Sequence, residues 1–228
     1  MIIAIIPAKL NSSRFPGKNI ASLKGKPLLY YSIRAAIRSG IFDEVHVSTD
    51  SRSIKNIAEK YGAKVPFLRN KKLSDSKSTV LDVIYDHAKR VNSKCQLTFI
   101  CCIYATAPLI NYRNLIKSFK EFKLSNKFDY SLAYTKYRFP VLRSLKKINK
   151  KLFPLFPKKI LKRSQDLPVI YHDAAQFFWT TQNAINKKSY LFGKKTMGFY
   201  IDPKEVIDID YKEDLENMII DIKNKSTK

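Results

Sequence analysis

Cysteine is scarce in this chain: three in 228 residues, at Cys95, Cys101 and Cys102. The count is odd, and two of the three are adjacent in an apolar run, where neighbouring strand residues point to opposite faces. That geometry argues against a mutual disulfide, and no C-x-x-C spacing suggests a metal site. Reduced, mostly buried thiols are expected. Long hydrophobic runs are lacking as well. The opening Met1-Ile2-Ile3-Ala4-Ile5-Ile6 stops at Pro7; it is too short to cross a bilayer and has no basic start of the signal-peptide kind. A soluble, cytoplasmic protein with no membrane partner is expected. Acidic residues are few, 19 against 43 Lys and Arg, for a net charge of +24. Such an excess is weighed first as a nucleic-acid signal. The lysines are scattered, however, for example at Lys24, Lys60, Lys94, Lys117, Lys146, Lys187 and Lys223, and form no single basic arm. General attraction for anions, without specific nucleic-acid recognition, is the expectation.

What is present is enough for a core: 45% of the residues are hydrophobic, which suits one compact α/β domain and excludes a disordered chain. Segments at 2–6, 44–48, 65–68, 97–103 and 130–134 read as strands, the first of them a continuous apolar run. Between them, Leu29, Ile33, Ala36 and Ile37 share one helical face after Pro27; Ile54, Ile57 and Ala58 share another, ending at Gly62. Val80, Val83, Ile84, His87, Ala88 and Val91 predict a third helix, and 114–122 a fourth. The β-α-β-α order predicts a mostly parallel, twisted sheet with helices on both faces. At about 137–168 Lys, Arg, Pro and Phe dominate and periodicity fades, which predicts an inserted arm for a lid or for dimer contacts. Strands resume near 170–180 and 199–201, a helix at 215–222 closes the domain, and residues 224–228 are expected to fray. His46 and His87, on periodic patterns, read as structural, and Phe177, Phe178 and Trp179 as core.

The first strand runs into Pro7-Ala8-Lys9-Leu10-Asn11-Ser12-Ser13-Arg14-Phe15-Pro16-Gly17-Lys18-Asn19. Three cations and two hydroxyls sit at the C-terminal end of a buried strand, where open α/β sheets bind ligands. A triphosphate needs cations from several directions and backbone N–H donors, and this loop offers both. It lacks the glycines of a dinucleotide fingerprint or a P-loop. A solvated basic turn is the plain alternative. Near the C-terminus, Asp208-Ile209-Asp210 places two carboxylates on the same side of an extended backbone, about 7 Å apart at Cα. That suits a hard divalent cation held against phosphate oxygens. Helix capping by Asp210, with Glu213 three residues on, is the alternative.

The loop resembles the P-A-R-x-x-S-x-R-x-P-x-K-N opening of bacterial sugar cytidylyltransferases, with Lys9 where the family usually has Arg. The likeness continues through Gly25-Lys26-Pro27-Leu28, Val47-Ser48-Thr49-Asp50, Val65-Pro66-Phe67-Leu68-Arg69 and Ala105-Thr106-Ala107-Pro108-Leu109. Arg163-Ser164-Gln165-Asp166-Leu167 and Tyr171-His172-Asp173-Ala174-Ala175-Gln176-Phe177-Phe178-Trp179 look like the pseudaminic acid branch of that family. Ser13-Arg14 followed by Gly17 is similar instead to the KDO branch. The resemblance implies a single Rossmann-like nucleotidyltransferase domain over 1–228 that works as a homodimer through its arm. It implies transfer of CMP from CTP to the anomeric hydroxyl of a nonulosonic acid, with release of pyrophosphate. Lys9, Arg14, Lys18 and Asp208 would then be catalytic. Ala8, Ser12, Ser13, Asn19, Arg69, Ser78 and Thr79 would join Lys9, Arg14 and Lys18 around the nucleotide. Tyr104, Thr106, His172, Asp173 and Gln176 would hold the sugar, and Asp208 and Asp210 a Mg²⁺ or Mn²⁺ ion. N-acetylneuraminic acid, legionaminic acid and KDO are the alternative acceptors. A basic RNA-binding protein is the reading of another class, and the D-x-D of a glycosyltransferase a third.

Overall fold

The computed structural model describes residues 1–75 and 77–226. β1 (Ile2–Pro7) leads through a long loop and a short hairpin, β2 (Ser22–Leu23) with β3 (Lys26–Pro27), into α1 (Leu28–Ser39). There follow β4 (Glu44–Ser48), α2 (Arg52–Lys60), α3 (Val80–Asn92), β5 (Phe99–Ile103), α4 (Tyr112–Leu124) and β6 (Tyr130–Lys136). The inserted arm carries a second hairpin, β7 (Leu145–Ile148) and β8 (Lys151–Pro154), and one helical turn, α5 (Pro157–Ile160). β9 (Tyr171–Thr181), α6 (Gln182–Asn186), β10 (Thr196–Tyr200) and α7 (Lys212–Ser226) complete the chain. The expected fraying at 224–228 falls partly on a helix that continues to Ser226; residues 227 and 228 lie outside the described residues.

The main sheet has the order β10-β6-β9-β5-β1-β4. β1 pairs in parallel with β4 and β5, and β10 with β6, whereas β9 runs antiparallel to both β5 and β6. Two-residue alternation divides the core. Ala4, Ile6, Val45, Val47, Cys101, Ile103, Phe177 and Trp179 face α1, α2 and α4. Ile3, Ile5, Ile100, Cys102, Leu132 and Phe178 face α3 and α6. The sheet is therefore covered on both sides, which is why its central strands read as continuous apolar runs. Trp179 shows how the expected core residues are used: Phe42 stacks on it at 5.4 Å, Phe119 lies 4.8 Å away, and its indole N–H donates to Ser118 Oγ at 2.9 Å.

α1 starts after Pro27 and stops at Gly40 in the left-handed region, as its sequence signals require. One expected strand is absent. Residues 65–68 make no ladder; only Lys64 bridges to His46. Pro66 has no N–H to give a sheet, and Phe67 turns in against His87 and under the Arg90 guanidinium instead. Cys95, Cys101 and Cys102 are free thiols. Burial pushes the two fully buried ones well above the ordinary thiol range, so they are inert. Among the described residues no helix is long and apolar enough to cross a membrane.

Candidate active site

β1 lies between β4 and β5, where the crossovers leave in opposite directions, and the carboxyl ends of these strands open onto a cavity of about 320 Å³. This is the switch point at which open α/β sheets bind ligands. The first loop folds over it. Gly17, at φ 71°, takes a left-handed turn that starts the 3₁₀ segment Lys18–Ile20 and sends Lys18 inward. Asn19, buried, donates to Lys9 O at 2.7 Å, and Lys9 Nζ crosses to Asp75 O at 3.1 Å. Lys9, Ser12, Arg14, Lys18 and Asn19 all line the cavity. Ala8 is buried with its N–H on Ser48 O, and Ser13 is exposed; neither side chain reaches the lining.

The opposite rim is Asp208-Ile209-Asp210. Ile209 is fully buried in a small cluster with Leu23, Leu28, Leu215 and Met218, against which Phe15 of the first loop also packs. That burial contributes about 2–3 kcal/mol and turns both flanking carboxylates to the cavity. The two differ sharply. Arg14 grips both oxygens of Asp210, at 2.8 and 2.9 Å, and Lys18 Nζ lies 2.9 Å from one of them and 3.0 Å from Ile209 O. Asp208 has no hydrogen bond or ion pair to the described residues. Burial first, and the charge of Asp210 second, push its carboxyl above the ordinary range, opposed by Lys18 and Arg14. Capping of α7 falls to Asp214, whose Oδ2 accepts from the N–H groups of Asp210 and Tyr211 at 2.9 and 2.7 Å. The side chain of Asp210 is thereby left to the two cations.

The third wall comprises Arg69, Ser78 and Thr79. Thr79 caps α3 in a reciprocal box with Asp82, and the single hydrogen of Ser78 Oγ is shared between Lys72 O and Asp75 Oδ1. These hydroxyls face the cavity while also holding the loop, so the capping and lining roles coincide. The bonds from Ser78 hold the Asp75 carboxyl below its ordinary range. Tyr104 and Thr106 follow β5 into the same cavity; burial drives the Tyr104 phenol far above its usual value.

A second cavity, about 340 Å³, shares Ala175 and Asp208 with the first and is lined by His172, Asp173, Lys136 and Arg138. It owes its shape to a bulge in β9: Leu132 pairs with Phe178, yet Tyr134 pairs with Asp173. Inside the bulge Ala175 sits at φ 50°, uncommon for a residue with a Cβ, and Asp173 Oδ1 accepts its N–H at 2.8 Å. Burial raises the Asp173 carboxyl above the ordinary range despite that bond. The His172 ring packs on Tyr137 at 4.4 Å. Gln176 is placed differently from its expected role. It is fully buried, its amide donates to Glu205 O, its own carbonyl accepts from Tyr104 N–H, and it lines neither cavity. It supports the wall from behind. Sequence reasoning missed Asp75, Ala175, Lys136 and Arg138. Ala175 lay within the quoted 171–179 segment, but its Cβ gave no chemical signal, and the break in periodicity near 137 was the only signal beside Lys136 and Arg138.

Comparison with known proteins accords with this geometry. The profile of the family described as cytidylyltransferase matches residues 3–227. A pseudaminic acid cytidylyltransferase of Campylobacter jejuni is 38% identical over 216 residues, 94% of this chain and 93% of that one. An N-acylneuraminate cytidylyltransferase of Escherichia coli is 29% identical over 229 residues, 100% of this chain and 53% of that one. The solved structure of CMP:2-keto-3-deoxy-manno-octonic acid synthetase complexed with CTP shares the fold, with a TM-score of 0.74 at 14% identity over 98% of this chain and 99% of that one. With a family match spanning nearly every residue and a relative this similar along almost its whole length, the chain belongs to the cytidylyltransferase family.

Proposed function

We propose that this enzyme transfers CMP from CTP to the anomeric hydroxyl of pseudaminic acid and releases pyrophosphate. The observation that carries the reading is the pair of cavities with a common wall at Ala175 and Asp208. One is ringed by Lys9, Arg14 and Lys18 and suits a triphosphate. The other, with His172, Asp173, Lys136 and Arg138, offers mixed donors, acceptors and positive charge to an acidic, amide-bearing sugar. A hydroxyl reaching over Asp208 would pass its proton to that carboxylate or to water as its oxygen attacks the α-phosphorus. The O–P bond forms as the bond to pyrophosphate breaks, and negative charge grows on the phosphate oxygens facing the three cations. The pseudaminic acid cytidylyltransferases among the relatives support the choice of acceptor.

The donor set fits a hard divalent ion, Mg²⁺ or Mn²⁺. Asp208 is a carboxylate without a hydrogen bond or ion pair among the described residues, its charge disfavoured by partial desolvation, and Asp210 stands beside it. Among the described residues no three His, Cys, Asp or Glu side chains come close enough to hold a metal unaided, so phosphate oxygens and water would complete the shell. Such an ion, when bound, supplies positive charge to the phosphates. The exposed apolar residues of the arm, Leu145, Leu152, Leu155 and Leu161 among them, support a homodimer covering them. The free thiols suit a reducing cytoplasm.

Pyrophosphate release from CTP, followed with a panel of nonulosonic acids, tests the reading. Pseudaminic acid has two acylamido groups, and a site that hydrogen-bonds both rejects analogues that leave its own groups unpaired. We expect at least about a hundredfold advantage in kcat/KM over N-acetylneuraminic acid and KDO, about 2.7 kcal/mol. His172→Ala should raise the sugar KM more than the CTP KM. Equal turnover of KDO or N-acetylneuraminic acid would sink the assignment of the acceptor.

A further inference from the structure

Beyond the end of β4 the chain continues through Thr49 and Asp50 behind the nucleotide-side cavity. Arg69 runs alongside, its N–H on Thr49 O at 2.7 Å. Its side chain is only 4% exposed and still lines the cavity, and its Nε donates to Ser74 Oγ at 3.0 Å. Among the described residues, neither the buried Arg69 Nη2 nor the buried Asp50 Oδ1, 4.0 Å from it, has a hydrogen-bond partner. Two complementary buried polar atoms that form a loose ion pair yet make no hydrogen bond are rare and need a reason. Burial pulls the Arg69 pKa down, and the charge that pushes back is Asp50. The imidazole of His87 lies nearby but is neutral, its pKa lowered to about 3 by burial. Asp50 itself does not line the cavity. It stands behind the guanidinium.

We infer that Asp50 is a positioning residue that holds the Arg69 guanidinium in the wall of the nucleotide cavity. The inference rests on the reading of that cavity as the CTP site. A guanidinium has a long, mobile stem, and without a counter-charge this one would gain hydration by swinging outward. Thr49 fixes its backbone and Ser74 fixes one edge. Asp50 draws Nη2 from behind and sets the plane of the fork. A planar, fixed donor suits the acceptor edge of a pyrimidine base, where cytosine presents a ring nitrogen and a carbonyl oxygen. Uracil presents a different edge, because its ring nitrogen carries a hydrogen.

The test is steady-state kinetics of the full chain with CTP varied, at saturating sugar acid and divalent metal, and with UTP as competitor. Asp50→Asn keeps the shape and removes the charge. It should raise the CTP KM about tenfold or more, leave kcat within about threefold, and lower the preference for CTP over UTP. Arg69→Ala should do at least as much, and the double variant should be no worse than Arg69→Ala, because Asp50 acts through Arg69. Asp50→Glu should recover part of the loss. A thermal midpoint that drops in Asp50→Asn while the CTP KM and the CTP to UTP ratio stay unchanged would overturn the inference and leave Asp50 a structural residue. Effects of the two single variants that multiply in the double would overturn it as well. If Arg69→Ala leaves the CTP KM unchanged, the cavity reading itself fails; if Arg69→Ala is impaired and Asp50→Asn is not, only the positioning role fails.

Discussion

At the scale of single residues, two carboxylates two positions apart meet opposite surroundings. Asp210 is bridged by Arg14 and Lys18, so its charge is compensated in place. Asp208 stands exposed at the cavity, makes no hydrogen bond or ion pair with the described residues, and is pushed toward its neutral form by desolvation among its neighbours and by the charge of Asp210. A carboxylate whose charge its surroundings disfavour, with no ion pair to offset that, points to a role toward a ligand. Asp208→Asn should therefore reduce turnover by about a hundredfold or more while the thermal midpoint holds or rises. Lys18→Ala, which removes a cation from the phosphate side, should weaken CTP binding by about tenfold or more. Pyrophosphate release and thermal denaturation measure both. Turnover by Asp208→Asn that survives EDTA would remove the carboxylate from the chemistry.

At the scale of elements, β4 and α3 are joined by a buried histidine pair. His46 Nδ1 lies 3.1 Å from His87 Nε2, and His46 Nε2 lies 2.6 Å from Glu44. The Lys64 ammonium bonds the same carboxylate and, as the largest influence, holds it below its ordinary range. An ionised Glu44 accepts a hydrogen bond from His46 Nε2–H, which leaves His46 Nδ1 an acceptor and assigns the donated hydrogen to His87 Nε2. Burial depresses the pKa of His46, and that of His87 to about 3, with His46, Arg90 and Arg69 adding to the latter. Both rings are neutral in the fold. Above about pH 6.5 neither folded nor unfolded chain binds the extra proton. As pH falls from there toward 3, the unfolded chain takes up a proton that the fold refuses, and stability declines. For His87 alone the loss between pH 7 and pH 5 is about 2 kcal/mol. Urea unfolding at the two pH values should show it, and His87→Leu should shrink the difference. An unchanged difference in that variant would mean that other groups carry the acid sensitivity.

At the scale of the whole molecule, the arm leaves at the end of β6 and returns at the start of β9, both on the face where the cavities open. From Lys136 to Arg163 it carries eleven Lys and Arg and no acid. Its hairpin shows no buried residue, and apolar side chains stand out on both of its faces, Leu145 and Leu152 on one, Ile148 and Phe153 on the other. An isolated two-stranded hairpin is marginal in water, so a covering surface is expected, and in the proposed homodimer a second copy would supply it. Light scattering at micromolar concentration should give twice 26.4 kDa. Leu152→Glu with Phe153→Glu should shift the mass to the monomer and lower activity. A fully active monomer would exclude the arm from both roles.

Local information sufficed for much of this protein. The period-two and helical patterns placed β1, α1, β4, α3, β5 and β6, because each buries residues at spacings that a few turns of chain already display. The loop 7–19 and Asp208-Ile209-Asp210 were legible because their chemistry is concentrated in a few consecutive residues. Other features rest on contacts that no window of sequence contains. Arg14 meets Asp210 from 196 positions away, and that meeting is decided by the packing of Ile209 and Phe15 in a shared cluster. The bulge in β9, which sets Ala175 between the two cavities and withdraws Gln176 behind the wall, arises from simultaneous pairing with β5 and β6. Pro66 and Phe67 left the sheet because burial against α3 outweighed a ladder that Pro66 could not complete. Asp50 and Arg69 face one another across a loose ion pair for the same reason. Periodicity records which residues are buried; which polar atoms are then left facing each other is settled when the elements dock.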